Sequence, residues 1–201
     1  HELLSKFRDI IIDVRITSLV GVSVHEKNFL INEETSLTTF SEQVSDYELD
    51  EISKKILGLL YCNAKENIAT IADKLNSTID IVRNRIQNMQ KEGIIIRYSA
   101  VIDYHKIGYE FYKAFVYLKK FDSAIMKKLN NYVKDSKIMI NMIRQIASWD
   151  IEIVLFATCF ADYDKAIGEF NKEFSENVQK IETATMSEDI IFPCKKLVFN
   201  V

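Results

Sequence analysis

The sequence predicts an α+β fold in two successive parts, a trihelical unit and an antiparallel sheet carrying two helices. Three observations predict it. Between Asp50 and Glu92 apolar residues recur with helical spacing in three short blocks separated by polar breaks. From residue 110 onward, alternating segments and helical segments follow one another in the order β, α, β, β, α, β. A run rich in Ile, Val and Leu fills the first 32 residues and is set off from the helices by a polar stretch.

In that first run the near-alternation of Val14, Ile16 and Ser18, then Val20, Val22 and Val24, reads as two strands after a helix end. Residues 33–48 are polar, hydroxyl-rich and weakly periodic, and read as a linker with little internal order. At Asp50 the period changes. Ile52, Ile56, Leu59 and Leu60 fall on one helical face, with Asp50 and Glu51 at the positive N-terminal end. Ile68, Ile71, Ala72 and Leu75 define a shorter second helix. Asn76, Ser77 and Thr78 form a polar turn whose hydroxyls can accept the free N–H groups of a third helix, and Asp80 stands where it can return the bond to Ser77. The third helix turns Val82, Ile86 and Met89 inward and is stopped by Gly93. The β-branched run from Ile94 to Asp103 reads as a strand leading out of the unit.

The second part begins with the strand FYKAFVYLKK. A helix capped by Asp122, with Ile125, Leu129, Tyr132 and Val133 inward, leads to the strands KIMINMIRQI and IEIVLFATCF. A helix capped by Asp162, with Tyr163, Ala166, Ile167, Phe170 and Phe174 inward, precedes a strand from Val178 to Met186, and the tail from Ile190 adds a further candidate strand. The order is that of a ferredoxin-like split βαβ unit with both helices on one face. The expected division is therefore 1–32, 33–48, a helix-turn-helix domain at 49–103 and a ferredoxin-like domain at 104–201. Laying Phe7 on Phe174 also pairs Asp9 with Glu176, Ile11 with Val178, Val14 with Ile181 and Leu30 with Leu197. That faint repeat reads either as two apolar helix-to-strand segments of ordinary likeness or as the tail of an upstream copy of the second domain.

A helix-turn-helix exists to hold its third helix in the DNA major groove. The outward arc of this one carries Asp80, Arg83, Asn84 and Gln87. Arg can grip the two acceptors of guanine, and Asn or Gln the acceptor–donor pair of adenine, whereas the bland reading of such an arc is a solvated face. Residues 79–91 hold Arg83, Arg85 and Lys91 against Asp80 alone, although the whole chain has a formal charge of −3. The charge permits phosphate binding without demanding it. Ser77 and Thr78 of the turn, Lys91 and Arg97 complete the candidate DNA-binding set, with Arg97 either touching phosphate or lying in solvent.

At this point the stretch from Leu49 to Tyr109 resembles the N-terminal domain of the Lrp/AsnC (feast/famine) family. The matching residues are Leu49-Asp50, Ile56-Leu57, Leu60, Asn63, Ile71-Ala72, Val82, Arg85-Ile86, Gly93, Ile95, Tyr98, Asp103 and Ile107-Gly108-Tyr109. The resemblance implies a winged helix-turn-helix followed by a ferredoxin-like regulatory domain over about 49–190, and a transcription regulator that binds double-stranded DNA. It also implies assembly into homo-dimers or higher homo-oligomers and sensing of an amino acid between regulatory domains. In the family a Gly-containing turn between the second and third strands helps to form the effector site. Here that turn is Ala147-Ser148-Trp149-Asp150, so a position needing positive φ would be strained by alanine. Trp149 reads either as a packing residue or as the lining of a ligand pocket. A tandem member of the family, of which this would be the C-terminal part, is the further expectation raised by the faint repeat.

Other classes are disfavoured by what the sequence lacks. No Gly-rich phosphate loop, CxxC, HExxH or GxSxG occurs, and His1, His25 and His105 stand near no candidate catalytic partner, so neither an enzyme, such as a haem-precursor decarboxylase of similar architecture, nor a cofactor or metal is expected. Retention of the helix-turn-helix as an assembly module without DNA binding is the second alternative. The richest apolar run, Ile10 to Val24, is broken by Asp13 and Arg15, so no membrane span is expected. Cys62, Cys159 and Cys194 are odd in number and far apart, which fits a reducing cytoplasm and small core residues better than a disulfide framework.

Overall fold

The computed structural model describes residues 6–7, 9–11, 14–25, 37–40, 47–98, 100 and 102–187. They fall into two compact units, one within 45–102 and the other within 1–44 and 103–188. Residues from Glu188 onward, including the tail strand expected from Ile190 and Cys194, lie outside the described residues, as do several of the positions paired in the faint repeat.

The first unit holds three helices: α1 at Glu51–Cys62, α2 at Ile68–Lys74 and α3 at Ile79–Lys91. Each starts on a side-chain cap, as the free N–H groups of a helix N-terminus require. Asp50 accepts from the Ser53 N–H at 2.8 Å, Asn67 from that of Ala69 at 2.9 Å, and Thr78 from that of Ile81 at 3.3 Å. The core is formed by Ile56, Leu60, Ile71, Ala72, Val82, Ile86 and Met89. Ile52, expected on the inner face, is 39% exposed, and Ser53 takes the buried position one residue on.

Two expectations for this unit are corrected. The cap of α3 is Thr78, and the Asp80 carboxylate bonds Arg83 instead of returning to Ser77. The run after Gly93 has no strand pairing among its described residues. The Ile94 and Ile95 N–H groups both donate to the Met89 carbonyl, at 2.8 and 3.0 Å, and their side chains pack on the helical core. A β-branched preference is realised only where another strand offers hydrogen bonds, and here burial against the helices takes its place.

The second unit is a six-stranded antiparallel sheet. Its strands are β1 Ser18–His25, β2 Leu37–Phe40, β3 Glu110–Leu118, β4 Met139–Ile146, β5 Ile151–Ala157 and β6 Val178–Met186, in the order β2-β1-β4-β5-β3-β6. Strands β3 to β6, with α4 at Ser123–Asp135 and α5 at Phe160–Glu173, make the expected βαββαβ core. Both helices lie on one side, where Tyr112, Ala114, Val116, Ile151, Ile153 and Leu155 of the sheet meet Ile125, Leu129, Val133, Tyr163, Phe170 and Phe174. On the other side Phe111, Ile140, Val154 and Phe156 form a smaller cluster that includes a Tyr104–Phe156 stack at 3.9 Å.

The early apolar run forms one continuous strand, β1, that extends the sheet beyond β4, and its hairpin partner β2 lies inside the stretch read as a linker. Pairing to an existing sheet edge supplies the hydrogen bonds that two isolated strands lack. His25, fully buried at the end of β1, has Nε2 3.1 Å from Asn130 Oδ1 on α4. The cap expected from Asp162 is absent: α5 starts after Cys159, and Asp162, in the first turn, accepts from the Thr158 hydroxyl at 2.7 Å. Cys62 and Cys159 are exposed rather than core residues, because both occupy helix ends.

Candidate nucleic-acid interface

The placement of α3 begins with the turn before it. Asn76 adopts a left-handed conformation at φ +48°. Asn tolerates that region better than most side chains. The reversal lets the Ser77 N–H reach back to the Ala72 carbonyl at 2.9 Å, closing α2, and delivers Thr78 to cap α3. From the other side, Arg85 of α3 forms an ion pair with Asp50. The Ser53 N–H and the Arg85 guanidinium hold the Asp50 carboxyl below the ordinary carboxylate range. One carboxylate thereby caps α1 and ties α3 to it.

With Val82, Ile86 and Met89 buried, α3 exposes Asp80, Arg83, Asn84, Gln87 and Lys91, and Thr78 is also exposed at its start. Ser77 and Arg97 are half-buried. Arg83 Nη1 lies 2.6 Å from Asp80 Oδ1, so the strongest base-reading candidate is held by a neighbouring carboxylate on the same helix face. Ile81 and Asn88 belong to the same exposed arc, Ile81 being 43% exposed, and were missing from the sequence-based set. A helical period counted from Val82 puts both of them outward. An outward Ile can pack on a thymine methyl, and Asn can read adenine.

The second candidate locus, Ala147 to Asp150, is the β4–β5 connection. Ala147 is not among the residues with positive φ, so alanine sits there without strain. The Asp150 N–H donates to the Val116 carbonyl at 3.0 Å, and its carboxylate accepts from the Leu118 N–H at 2.7 Å, pinning the turn to β3. Trp149 is 8% exposed, with its ring 4.6 Å from that of Phe115. Ser148 is exposed. Among the described residues, no group of three or more His, Cys, Asp or Glu side chains is placed to hold a metal ion, and no helix is long and apolar enough to cross a membrane.

Comparison with known proteins bears on both units. Residues 49–96 match the winged helix-turn-helix DNA-binding family. The chain is 41% identical over 70 residues to the HTH-type transcriptional regulator LrpB of Bacillus subtilis, a match covering 35% of this chain and 46% of that protein. It is 30% identical over 91 residues to an uncharacterised HTH-type transcriptional regulator of Pyrococcus abyssi, covering 45% of this chain and 61% of the relative. The structure of Escherichia coli AsnC superposes with a TM-score of 0.59 at 17% identity, over 73% of this chain and 97% of that one. The helix-turn-helix is thus similar to that of HTH-type transcriptional regulators, and the fold along most of the chain is that of Escherichia coli AsnC. The structure of a Neisseria meningitidis transcriptional regulator in complex with L-Met also superposes, with a TM-score of 0.60 at 16% identity over 72% of this chain and 94% of that one. The sequence matches span less than two thirds of the two curated relatives' lengths. Both curated relatives are HTH-type transcriptional regulators, and the tandem-copy reading gains no support from them.

Proposed function

We propose that this chain is a cytoplasmic, sequence-specific regulator of the Lrp/AsnC family that lays α3 in the major groove of double-stranded DNA. Arg83, Asn84 and Gln87 read base edges, joined by Ile81 and Asn88. Lys91 and Arg97 meet phosphates, and Ser77, Thr78 and Asp80 set the entry of the helix. The observation that carries this reading is the exposed polar arc of α3, delivered by the Asn76 turn and locked to α1 through Arg85 and Asp50. Phosphate contacts supply affinity and base contacts supply choice. The α/β unit, in the same reading, joins copies into dimers or larger homo-oligomers and takes an amino-acid effector near Ala147, Ser148, Trp149 and Asp150.

The test is binding to random duplex DNA as a function of salt, followed by selection of preferred fragments. Binding that weakens steeply with salt, and half-sites spaced by a whole helical turn, are expected. Absence of binding at low salt overturns the DNA reading. A second reading, the helix-turn-helix as an assembly module, is favoured by the Asp80–Arg83 pair and the net charge of −3, and survives in that outcome.

A further inference from the structure

The described N-terminal segment enters the sheet where Ser18 pairs with Ile146 of β4. Three residues upstream, Arg15 has already reached the far edge, with Nη1 2.7 Å from Glu182 Oε2 on β6. Strands β4, β5 and β3 stand between β1 and β6. Neighbouring strands lie ~4.8 Å apart, so β6 lies ~19 Å across the sheet from β1, and Ser18 stands ~10 Å along the strands from the row of Glu182; three extended residues span ~10 Å of that diagonal. The long Arg15 and Glu182 side chains supply the remainder. The path is therefore short, extended and laid across the sheet.

Strand pairing fixes which side it takes. Glu182 stands opposite Phe115, Phe115 opposite Glu152, Glu152 opposite Ile143, and Ile143 opposite Val22. Partners opposite one another share a face, and this row alternates with Ala114 and Val116, which pack under the helices. The crossing thus runs over the side opposite α4 and α5. Trp149 packs with its ring tilted against Phe115 of the same row. It is 8% exposed although neither α4 nor α5 covers that side, and its indole Nε1 is buried without an acceptor among the described residues.

The anchor is electrostatic. Glu182 accepts from Arg15, from the Tyr117 hydroxyl at 3.0 Å and from Lys180. Val14 and Ile16, on either side of Arg15, are 46% and 84% exposed, so apolar burial does little to hold the segment down. We propose that residues 14–17 form a strap closing over the Trp149 end of the sheet, clasped by Arg15 on Glu182 and lifted when that clasp is broken. The strap controls access to the turn at 147–150, and this holds whether or not an effector enters there.

Trp149 is the sole tryptophan, so its fluorescence in the full chain reports the strap directly. At low salt its emission is expected at short wavelength with weak acrylamide quenching. Raising salt to about 1 M, where the screening length falls to about 3 Å, shifts emission to longer wavelength and strengthens quenching. Arg15→Ala and Glu182→Gln do the same at low salt, raising the quenching constant by about two-fold or more, as expected for a local opening. The double exchange Arg15→Glu with Glu182→Arg restores protection. Far-UV circular dichroism separates strap release from unfolding, and the salt titration of the unaltered chain gives the answer if a variant fails to fold. A Trp149 that is already fully quenchable at low salt, or one equally shielded in a folded Arg15→Ala variant, overturns the proposal.

Discussion

The Arg85 guanidinium of α3 pairs with the same Asp50 carboxylate that caps α1. Replacing Asp50 by Ala removes both links. Loss of an N-cap costs about 1 kcal/mol. The pair adds less than ~1 kcal/mol, because its side chains are 41% and 43% exposed and water screens them. Hydrogen exchange in α1 and α3 is expected to quicken in Asp50→Ala while α4 and α5 are unaffected. Asp50→Asn, which keeps an acceptor for the Ser53 N–H, recovers most of the loss. Because the folded carboxyl titrates below its unfolded value, its contribution is present above about pH 3.9 and is lost as pH falls through the lower folded value.

Asp80 restrains the proposed DNA-reading arc through its bond to Arg83. Asp80→Asn removes a charge that repels phosphate and frees the guanidinium, so affinity for duplex DNA is expected to rise for all sequences. Arg83→Ala is expected to lower selectivity at one base pair by about 1–3 kcal/mol, and Lys91→Ala to weaken every sequence alike. Titrations against a selected site and single-base variants distinguish the three. Loss of affinity in Asp80→Asn would show that its carboxylate positions Arg83 for binding.

Asn76 carries the reversal between α2 and α3 at φ +48°. Glycine meets no steric penalty there, so Asn76→Gly is expected to leave stability within about 0.5 kcal/mol and to preserve DNA binding. A β-branched residue is strained in the left-handed region, and Asn76→Val is expected to cost about 1–2 kcal/mol. Thermal unfolding of the two variants is the check, and equal midpoints would contradict the assigned turn.

Lys180, Arg15 and Tyr117 bring the Glu182 carboxyl down to about 2. Its folded value is depressed, so the stabilisation it gives is complete above the unfolded value of about 4.3 and disappears as pH falls from there toward 2. Denaturation midpoints of the α/β unit are expected to separate wild type from Glu182→Gln at pH 6 and to converge near pH 2. A constant gap across that range would mean that the carboxylate charge is not what stabilises the contact.

Much of the architecture was legible in local patterns. Helical spacing placed Val82, Ile86 and Met89 inward, and Asp122 marked the start of α4 through the Ile125 N–H. The outward position of Arg83, Asn84 and Gln87 followed from the same period. Other features were hidden because they depend on partners far along the chain. Nothing near residue 37 announces a strand until β1 offers it hydrogen bonds, and nothing near Ile94 forbids one until Met89 takes its N–H.

The sequence by itself determined the helices, the βαββαβ order and the polar face of α3, since propensity, capping and periodicity act within a few residues. Only the tertiary structure decided that Asp80 holds Arg83, that Trp149 is buried on the side opposite α4 and α5, and that Arg15 reaches Glu182 across the sheet. Those contacts depend on rotamers or on strand order, and a pairing between residues 167 positions apart leaves no local pattern in the chain.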